Sequence, residues 1–164
     1  MIIRLLGQDD VDAFRRIRLE ALRTEPAAYS SRAEDWESLS DEEWRRRLTD
    51  NPVFVAFDGS EPVGIMGFIR EHSAKMAHRA TIVMVYLRET RRGTGLAAEL
   101  LAALTDHARK SGIRQLELAV SVENRGAFRF YQRAGFTEVG RIQGGYLHEG
   151  REIDEILMAR RIQD

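Results

Sequence analysis

Val85-Tyr86-Leu87-Arg88-Glu89-Thr90-Arg91-Arg92-Gly93-Thr94-Gly95-Leu96-Ala97-Ala98 is the stretch on which the fold turns. The apolar run from Thr81 to Leu87 reads as a buried central strand. It enters a basic loop with two glycines, and the loop opens directly into a helix. That helix, Gly95 to Ser111, carries Leu96, Leu100, Leu104 and Ala108 at four-residue intervals and is closed by Gly112. A helix start offers unpaired N–H groups and partial positive charge, which suit a phosphate. Glycine lets the backbone come close to an anion and take positive φ. Arg88, Arg91 and Arg92 should add positive potential to this one stretch.

Three readings of the loop compete: a plain glycine turn before an amphipathic helix, a dinucleotide fingerprint, and a pyrophosphate loop of another kind. Gly93-Thr94-Gly95-Leu96-Ala97-Ala98 does match G-x-G-x-x-A, with the acidic Glu117 about twenty residues further on. The surroundings disagree with a dinucleotide fold. Its glycines follow the strand at once, whereas Arg88 to Arg92 intervene here. It also needs more parallel strands than the remaining chain can supply.

A second stretch bears on the choice: Val120-Ser121-Val122-Glu123-Asn124-Arg125-Gly126-Ala127-Phe128-Arg129-Phe130-Tyr131-Gln132-Arg133-Ala134-Gly135-Phe136. Asn124 suits the N-cap of a helix after a strand. Ala127, Phe130 and Tyr131 then share one helix face, and Gly135 closes it. Read alone, Asn124 is a cap and Tyr131 a core aromatic. Together, Arg92-Gly93-Thr94-Gly95-Leu96-Ala97 resembles the Q/R-x-x-G-x-G/A pyrophosphate motif of the GNAT acetyltransferases, and N-x-x-A-x-x-x-Y followed by G-F resembles their second motif in the expected order.

The resemblance implies acetyl-CoA as cosubstrate and an amine as acceptor. It implies that backbone groups of Val85, Tyr86 and Leu87 contact the acetyl and pantetheine parts. Backbone N–H groups of Arg92, Gly93, Thr94, Gly95, Leu96, Ala97 and Ala98 would hold the pyrophosphate. Asn124 would hydrogen-bond the pantetheine arm, and Tyr131 would face the sulfur as the acid for departing CoA. The chain departs from the family pattern at Glu89, where proline is frequent, and at Ala97, where glycine is commoner. A non-catalytic acyl-CoA-binding module on the same fold is the rival reading; it could dispense with Tyr131 and the acceptor loops.

Working outward, Ile2 to Leu6 reads as a strand, and a helix follows to about Arg23. Ser40 and Glu43 form a capping box for a second helix over Trp44 and Leu48. Residues 53–58 and 63–70 are strands joined at Asp58-Gly59. After the central strand and its helix come a strand at 114–120, a helix at about 124–134, and strands near 137–143 and 152–160. This order predicts an α+β layered fold, GNAT-like, with a mixed, mostly antiparallel central sheet flanked by helices, and residues 1–164 as one domain.

The composition narrows partners and chemistry. There is no cysteine, which removes disulfides, zinc–thiolate sites and a cysteinyl acetyl-enzyme. The formal net charge of −1 gives no overall attraction to nucleic acid or to an anionic membrane. No apolar run suits a spanning helix, and Gln8-Asp9-Asp10 arrives too early for a secretory signal, so the expected location is the cytoplasm. The four histidines fit no metal spacing, and no metal is expected. In Trp44-Arg45-Arg46-Arg47-Leu48, Glu42 and Glu43 stand four residues before Arg46 and Arg47, which predicts a solvated helix with ion pairs. Homodimers are common in the family; the residues themselves are silent on that.

Direct attack by the amine is therefore expected, and the amine must be neutral. A lysine-type amine is neutral in only about one molecule per few thousand at pH 7, while an α-amine near pKa 8 needs little help. No carboxylate lies on Thr81 to Leu87, which favours a peptide α-amine or a small polar amine as acceptor. Glu34, Glu71, His78, Glu123, His148 and Asp154 stay open as bases, alongside a water chain. By family likeness, the segment 24–40 and Gly144-Gly145-Tyr146-Leu147-His148-Glu149-Gly150, read as the turn between the last strands, line the acceptor cleft.

Overall fold

A computed structural model describes residues 1–163 of the chain. The elements run β1 Ile2–Leu5, α1 Val11–Thr24, α2 Ala33–Glu37, α3 Asp41–Asp50, β2 Val53–Asp58, β3 Glu61–Arg70 and β4 Arg79–Leu87. Then follow α4 Leu96–Lys110, β5 Gln115–Ser121, α5 Arg125–Arg133, β6 Thr137–His148 and β7 Arg151–Arg161. The α+β expectation holds: one seven-stranded sheet in the order β1-β2-β3-β4-β5-β7-β6, antiparallel except between β4 and β5. The short helix α2 has no counterpart among the expected elements. Its five residues span little more than one turn, too few for a periodic signal. Among the described residues no helix is long and apolar enough to cross a membrane.

Strands β2 and β3 are buried on both faces because helices cover each side. Val53, Val55, Phe57 and Ile65 pack with α1, α2 and α3 around Phe14, Trp36 and Trp44. Phe54, Ala56, Met66 and Phe68 pack on the opposite face with Leu100, Leu104 and Ala108 of α4 and with Tyr131 of α5. The period of two along β2 thus feeds two cores. The Asp58↔Glu61 pair closes the β2–β3 hairpin, with Gly59 at φ 62° in the turn.

Strand β4 changes face midway. Its register against β3 moves by one residue between Ile65↔Tyr86 and Gly67↔Val83, leaving Met84 and Val85 opposite Met66 alone. Met84 takes φ 58°, a costly conformation for a side chain with Cβ. Ala80 and Ile82 face the α4 core, whereas Met84 and Tyr86 face the α1 core, so the bulge inverts the alternation. Beyond it, β4 separates from β5. The two strands pair only at Arg79↔Gln115, Ala80↔Leu116 and Thr81↔Glu117. Arg79 holds that closed end through Glu117, with Nε–Oε2 at 2.5 Å and Nη2–Oε1 at 2.6 Å.

The last hairpin is longer than the sequence suggests. Gly144 and Gly145 lie within β6, where the register against β7 shifts between Ile142 and Tyr146. The strand continues to His148, and the turn is at Glu149-Gly150, with φ of 50° and 78°. A Cβ on Gly145 would stand 2.4 Å from Glu155 Oε1. The glycine pair therefore makes a bulge that admits the Glu155 side chain, and does not terminate the strand. The extension carries Tyr146 across to donate to Ala27 O at 2.5 Å, which closes one wall of a cavity beneath the helices.

Phe14 is fully buried, edge-on to Trp36 and Trp44 at 6.1 and 5.2 Å between centroids. Phe14→Ala should destabilise the fold by about 3–5 kcal/mol. Urea denaturation followed by tryptophan fluorescence should show a lower midpoint with an unchanged slope.

Candidate active site

The split between β4 and β5 leaves backbone groups of β4 without a strand partner. Arg88 N donates to Val63 O of β3 at 3.0 Å, so by alternation Leu87 and Val85 turn their N–H and C=O toward the split. Their carbonyls are taken there: Val85 O accepts from the Tyr29 hydroxyl at 2.7 Å, and Leu87 O from Arg92 Nε at 3.1 Å. Their N–H groups point the same way. Tyr86, grouped with them in the sequence reading, turns its backbone to β3 and its ring to α1, where the hydroxyl donates to Glu20 Oε2 at 3.0 Å.

The glycine loop follows. Residues Glu89–Arg91 make one 3-10 turn, Gly93 has φ 74°, and Gly95 has φ 87° at the N-cap of α4. Nothing lies within 4 Å of where a Cβ on either glycine would stand, so φ and an open approach, rather than crowding, call for glycine. Thr94 Oγ1 donates to Arg91 O at 2.5 Å, and Glu99 N to Gly95 O at 3.1 Å, which leaves the N–H groups of Leu96, Ala97 and Ala98 at the open first turn.

The arginines behave differently from the expectation. Arg88 pairs with Glu20 and Glu61, Arg91 with Asp58, and Arg92 with Glu25. The hydrogen bond from Arg88 holds the Glu20 carboxyl below its usual range. Carboxylates thus neutralise most of the charge expected of this loop, and the Arg92 side chain straps the loop to the end of β4. What stays open to an anion is backbone.

Asn124 caps α5, its Oδ1 accepting from Ala127 N at 3.1 Å. That bond uses the amide oxygen and leaves the Nδ2 donors at an exposed position, so capping and ligand binding are compatible. Because β4 and β5 run parallel, the glycine loop and Asn124 both follow carboxyl ends of neighbouring strands and flank the split. Tyr131 is buried beside Phe130 and Phe136 at 5.2 and 5.5 Å. Burial raises its pKa, so the phenol stays protonated at working pH.

A second feature lies beside this one: a cavity of about 400 Å³ between the helices and the split. Arg18, Tyr29, Trp36 and Arg47 line it from the helical side, Thr81 to Met84 along β4, and Ser121, Tyr146 and Glu155 from the far side. None of the six candidate bases lines it. Glu123 is engaged by Arg151 at 3.0 Å, and Asp154 accepts from Gly144 N at 2.8 Å. The carboxylate that does reach the cavity is Glu155, which the sequence reading missed. Its one signal was the glycine pair, whose role shows only when β6 lies against β7. Arg18 was missed as well, and Arg47 was misread. Neither Glu42–Arg46 nor Glu43–Arg47 forms an ion pair among the described residues, and Arg47 instead lies over the Trp36 ring at 4.3 Å.

A sequence profile described as the acetyltransferase (GNAT) family matches residues 14–136, so the chain belongs to that family. It is 29% identical over 144 residues to an uncharacterized N-acetyltransferase of Methanocaldococcus jannaschii, covering 87% of this chain and 63% of that protein. It is 24% identical over 164 residues to the L-methionine sulfoximine/L-methionine sulfone acetyltransferase of Salmonella typhimurium, covering all of this chain and 96% of that one. Among solved structures, a putative acetyltransferase of Salmonella typhimurium with its cofactor acetyl-CoA superposes with TM-score 0.81 at 23% identity, over 100% and 95% of the two chains. That likeness shows the fold.

Burial raises the pKa of both Tyr29 and Tyr131 above the ordinary phenol value. The stability they contribute is complete below the unfolded tyrosine pKa of about 10 and is lost as pH rises through the folded values. Burial acts in the opposite direction on Arg18, lowering its pKa to about 10. The difference in urea midpoint between Tyr131→Phe and wild type should therefore shift in favour of the variant between pH 9 and 11.

Proposed function

We propose that this chain is an acetyl-CoA-dependent N-acetyltransferase, acting as a single domain in the cytoplasm, that acetylates a primary amine of a small molecule or a peptide N-terminus directly. The observation that carries the reading is the pair of open donor sets on either side of one split: strand N–H groups of Val85 and Leu87, and the glycine loop with the first turn of α4. The empty approach at Gly93 and Gly95 fits a pyrophosphate, and the free Asn124 amide donors fit the carbonyls of a pantetheine arm.

Acetyl-CoA supplies an acetyl thioester whose C–S bond breaks as the C–N bond forms. Val85 and Leu87 N–H would donate to the acetyl oxygen as charge builds on it. Tyr131, kept protonated by burial, would give its proton to the leaving sulfur. Glu155, free of ion pairs among the described residues, would take the proton lost by the amine, directly or through water. Glu155 then releases its proton to solvent and the Tyr131 phenolate takes one up, which balances the cycle.

Two substitutions test the reading. A ligand at 100 times its Kd stabilises a fold by about 2.7 kcal/mol, so acetyl-CoA should raise the wild-type Tm measurably. Gly95→Glu puts negative charge into the open approach and forces φ 87° on a residue with Cβ; a folded variant should lose that shift. An undiminished shift would exclude this loop as the pyrophosphate site. Tyr131→Phe should lower kcat about 10²–10⁴-fold while the acetyl-CoA shift persists. Thiol release within a few-fold of wild type would make water the acid and Tyr131 a packing residue. Acetyl-CoA binding without thiol release from any amine would favour a sensing module.

A further inference from the structure

Arg18 is the most anomalous charged group in the molecule. It is 4% exposed, and its Nε and Nη1 have no hydrogen-bond partner among the described residues. It forms no salt bridge among the described residues. Its guanidinium instead lies over Tyr29 at 5.1 Å and Trp36 at 4.5 Å. Arg47 lies over the same Trp36 ring at 4.3 Å, also without a carboxylate partner among the described residues. Two guanidiniums therefore share one aromatic wall with no counter-charge in contact. A buried ion without a partner costs several kcal/mol, and a second cation beside it adds repulsion. Cation–π contact offsets only part of such a cost, typically about 2 kcal/mol when desolvated.

Around the glycine loop the chain neutralises three arginines through four ion pairs. Arg18 stands apart from the unpaired surface arginines in being buried, and both it and Arg47 line the cavity beside the split. Glu155 lines that cavity from the β7 side. It is too far from either guanidinium to pair, since no contact within 4.0 Å exists. The walls thus offer cations on the helical side and one carboxylate on the other. That pattern complements a zwitterion: a carboxylate held by guanidinium forks and an amine held toward Glu155 and the β4 split.

We propose that the acceptor is a free α-amino acid of modest size, its carboxylate bound by Arg18 and Arg47 and its amino group presented toward Glu155. The cavity of about 400 Å³ suits such a molecule. Burial lowers the Arg18 pKa to about 10, which still leaves it charged near neutrality. This inference rests on the acetyl-transfer reading and narrows it: a peptide N-terminus or a simple amine leaves both guanidiniums without a partner.

The test is a panel of L-leucine, L-methionine, L-phenylalanine, L-glutamine and L-glutamate, each beside its α-carboxamide and its decarboxylated amine. Thiol release from acetyl-CoA is the readout. At least one acid should exceed both partners in kcat/KM by about tenfold to a hundredfold, the worth of charged hydrogen bonds. Arg18→Gln and, separately, the more exposed Arg47→Gln should bring that ratio toward one, chiefly through KM. Arg47→Gln keeps the test usable if Arg18→Gln does not fold. Amides or amines matching the acids in wild type, or a preference that survives both substitutions, would overturn the proposal. If no panel member releases thiol, the transfer reading fails on its own account. The anion site is then read from tryptophan fluorescence with CoA present. An Arg18- or Arg47-dependent response to acids and not to amides supports it, and equal or absent responses overturn it.

Discussion

Everything at this site depends on two parallel strands that pair for three residues and then part. Arg79 and Glu117 hold β4 to β5 at one end, and the bulge at Met84-Val85 re-aims β4 beyond it. Unpaired strand groups are costly when buried, so a sheet tolerates such a gap only where something else engages them. Here Tyr29 and Arg92 take the carbonyls of Val85 and Leu87. The remaining N–H groups form a donor row in the middle of the sheet, which a continuous ladder would have consumed. The strain at Met84 belongs to the same device, since a regular strand would not present Val85 and Leu87 on the open side.

The distribution of charge sharpens the picture. Arginines beside the glycine loop are matched by acidic residues from α1, the residue after it, and the β2–β3 hairpin, so they brace the loop. What remains uncompensated there is the helix start and its backbone N–H groups. In the adjoining cavity the arrangement reverses: Arg18 and Arg47 stack on aromatic rings and leave their charge uncompensated. One side of the split offers open N–H groups at a helix start, the other guanidiniums without a counter-charge in contact among the described residues. Tyr29 touches both, bonding Val85 and lying under Arg18.

The element order and fold class were legible from periodicity, caps and turns. Leu96, Leu100, Leu104 and Ala108 mark α4, and Asp58-Gly59 marks its hairpin, because such signals act between residues close in sequence. Boundaries moved by a few residues where partners extended a strand, as with Arg79 at the start of β4. Gly144-Gly145 was misread as a turn because a bulge and a turn make the same local demand on the backbone; only Glu155 on the neighbouring strand distinguishes them. The arginine-rich stretch of α3 was misread for a like reason. Helical spacing allows Glu43 to meet Arg47, but the indole of Trp36, eleven positions earlier, offers Arg47 a buried flat face instead.

By itself the sequence determined the family, the glycine loop that leads into α4, and the positions of Asn124 and Tyr131, since each is written in residues a few places apart. Tertiary structure alone decided which groups meet at the cavity beside the split. Arg18, Trp36, Arg47 and Glu155 come from α1, α2, α3 and β7, and no local spacing joins them. Their meeting depends on how the helices lie on one face of the sheet and on how far the last hairpin reaches across it. That is a matter of packing between distant segments, where burial strips a side chain of water and makes the absence of a partner informative.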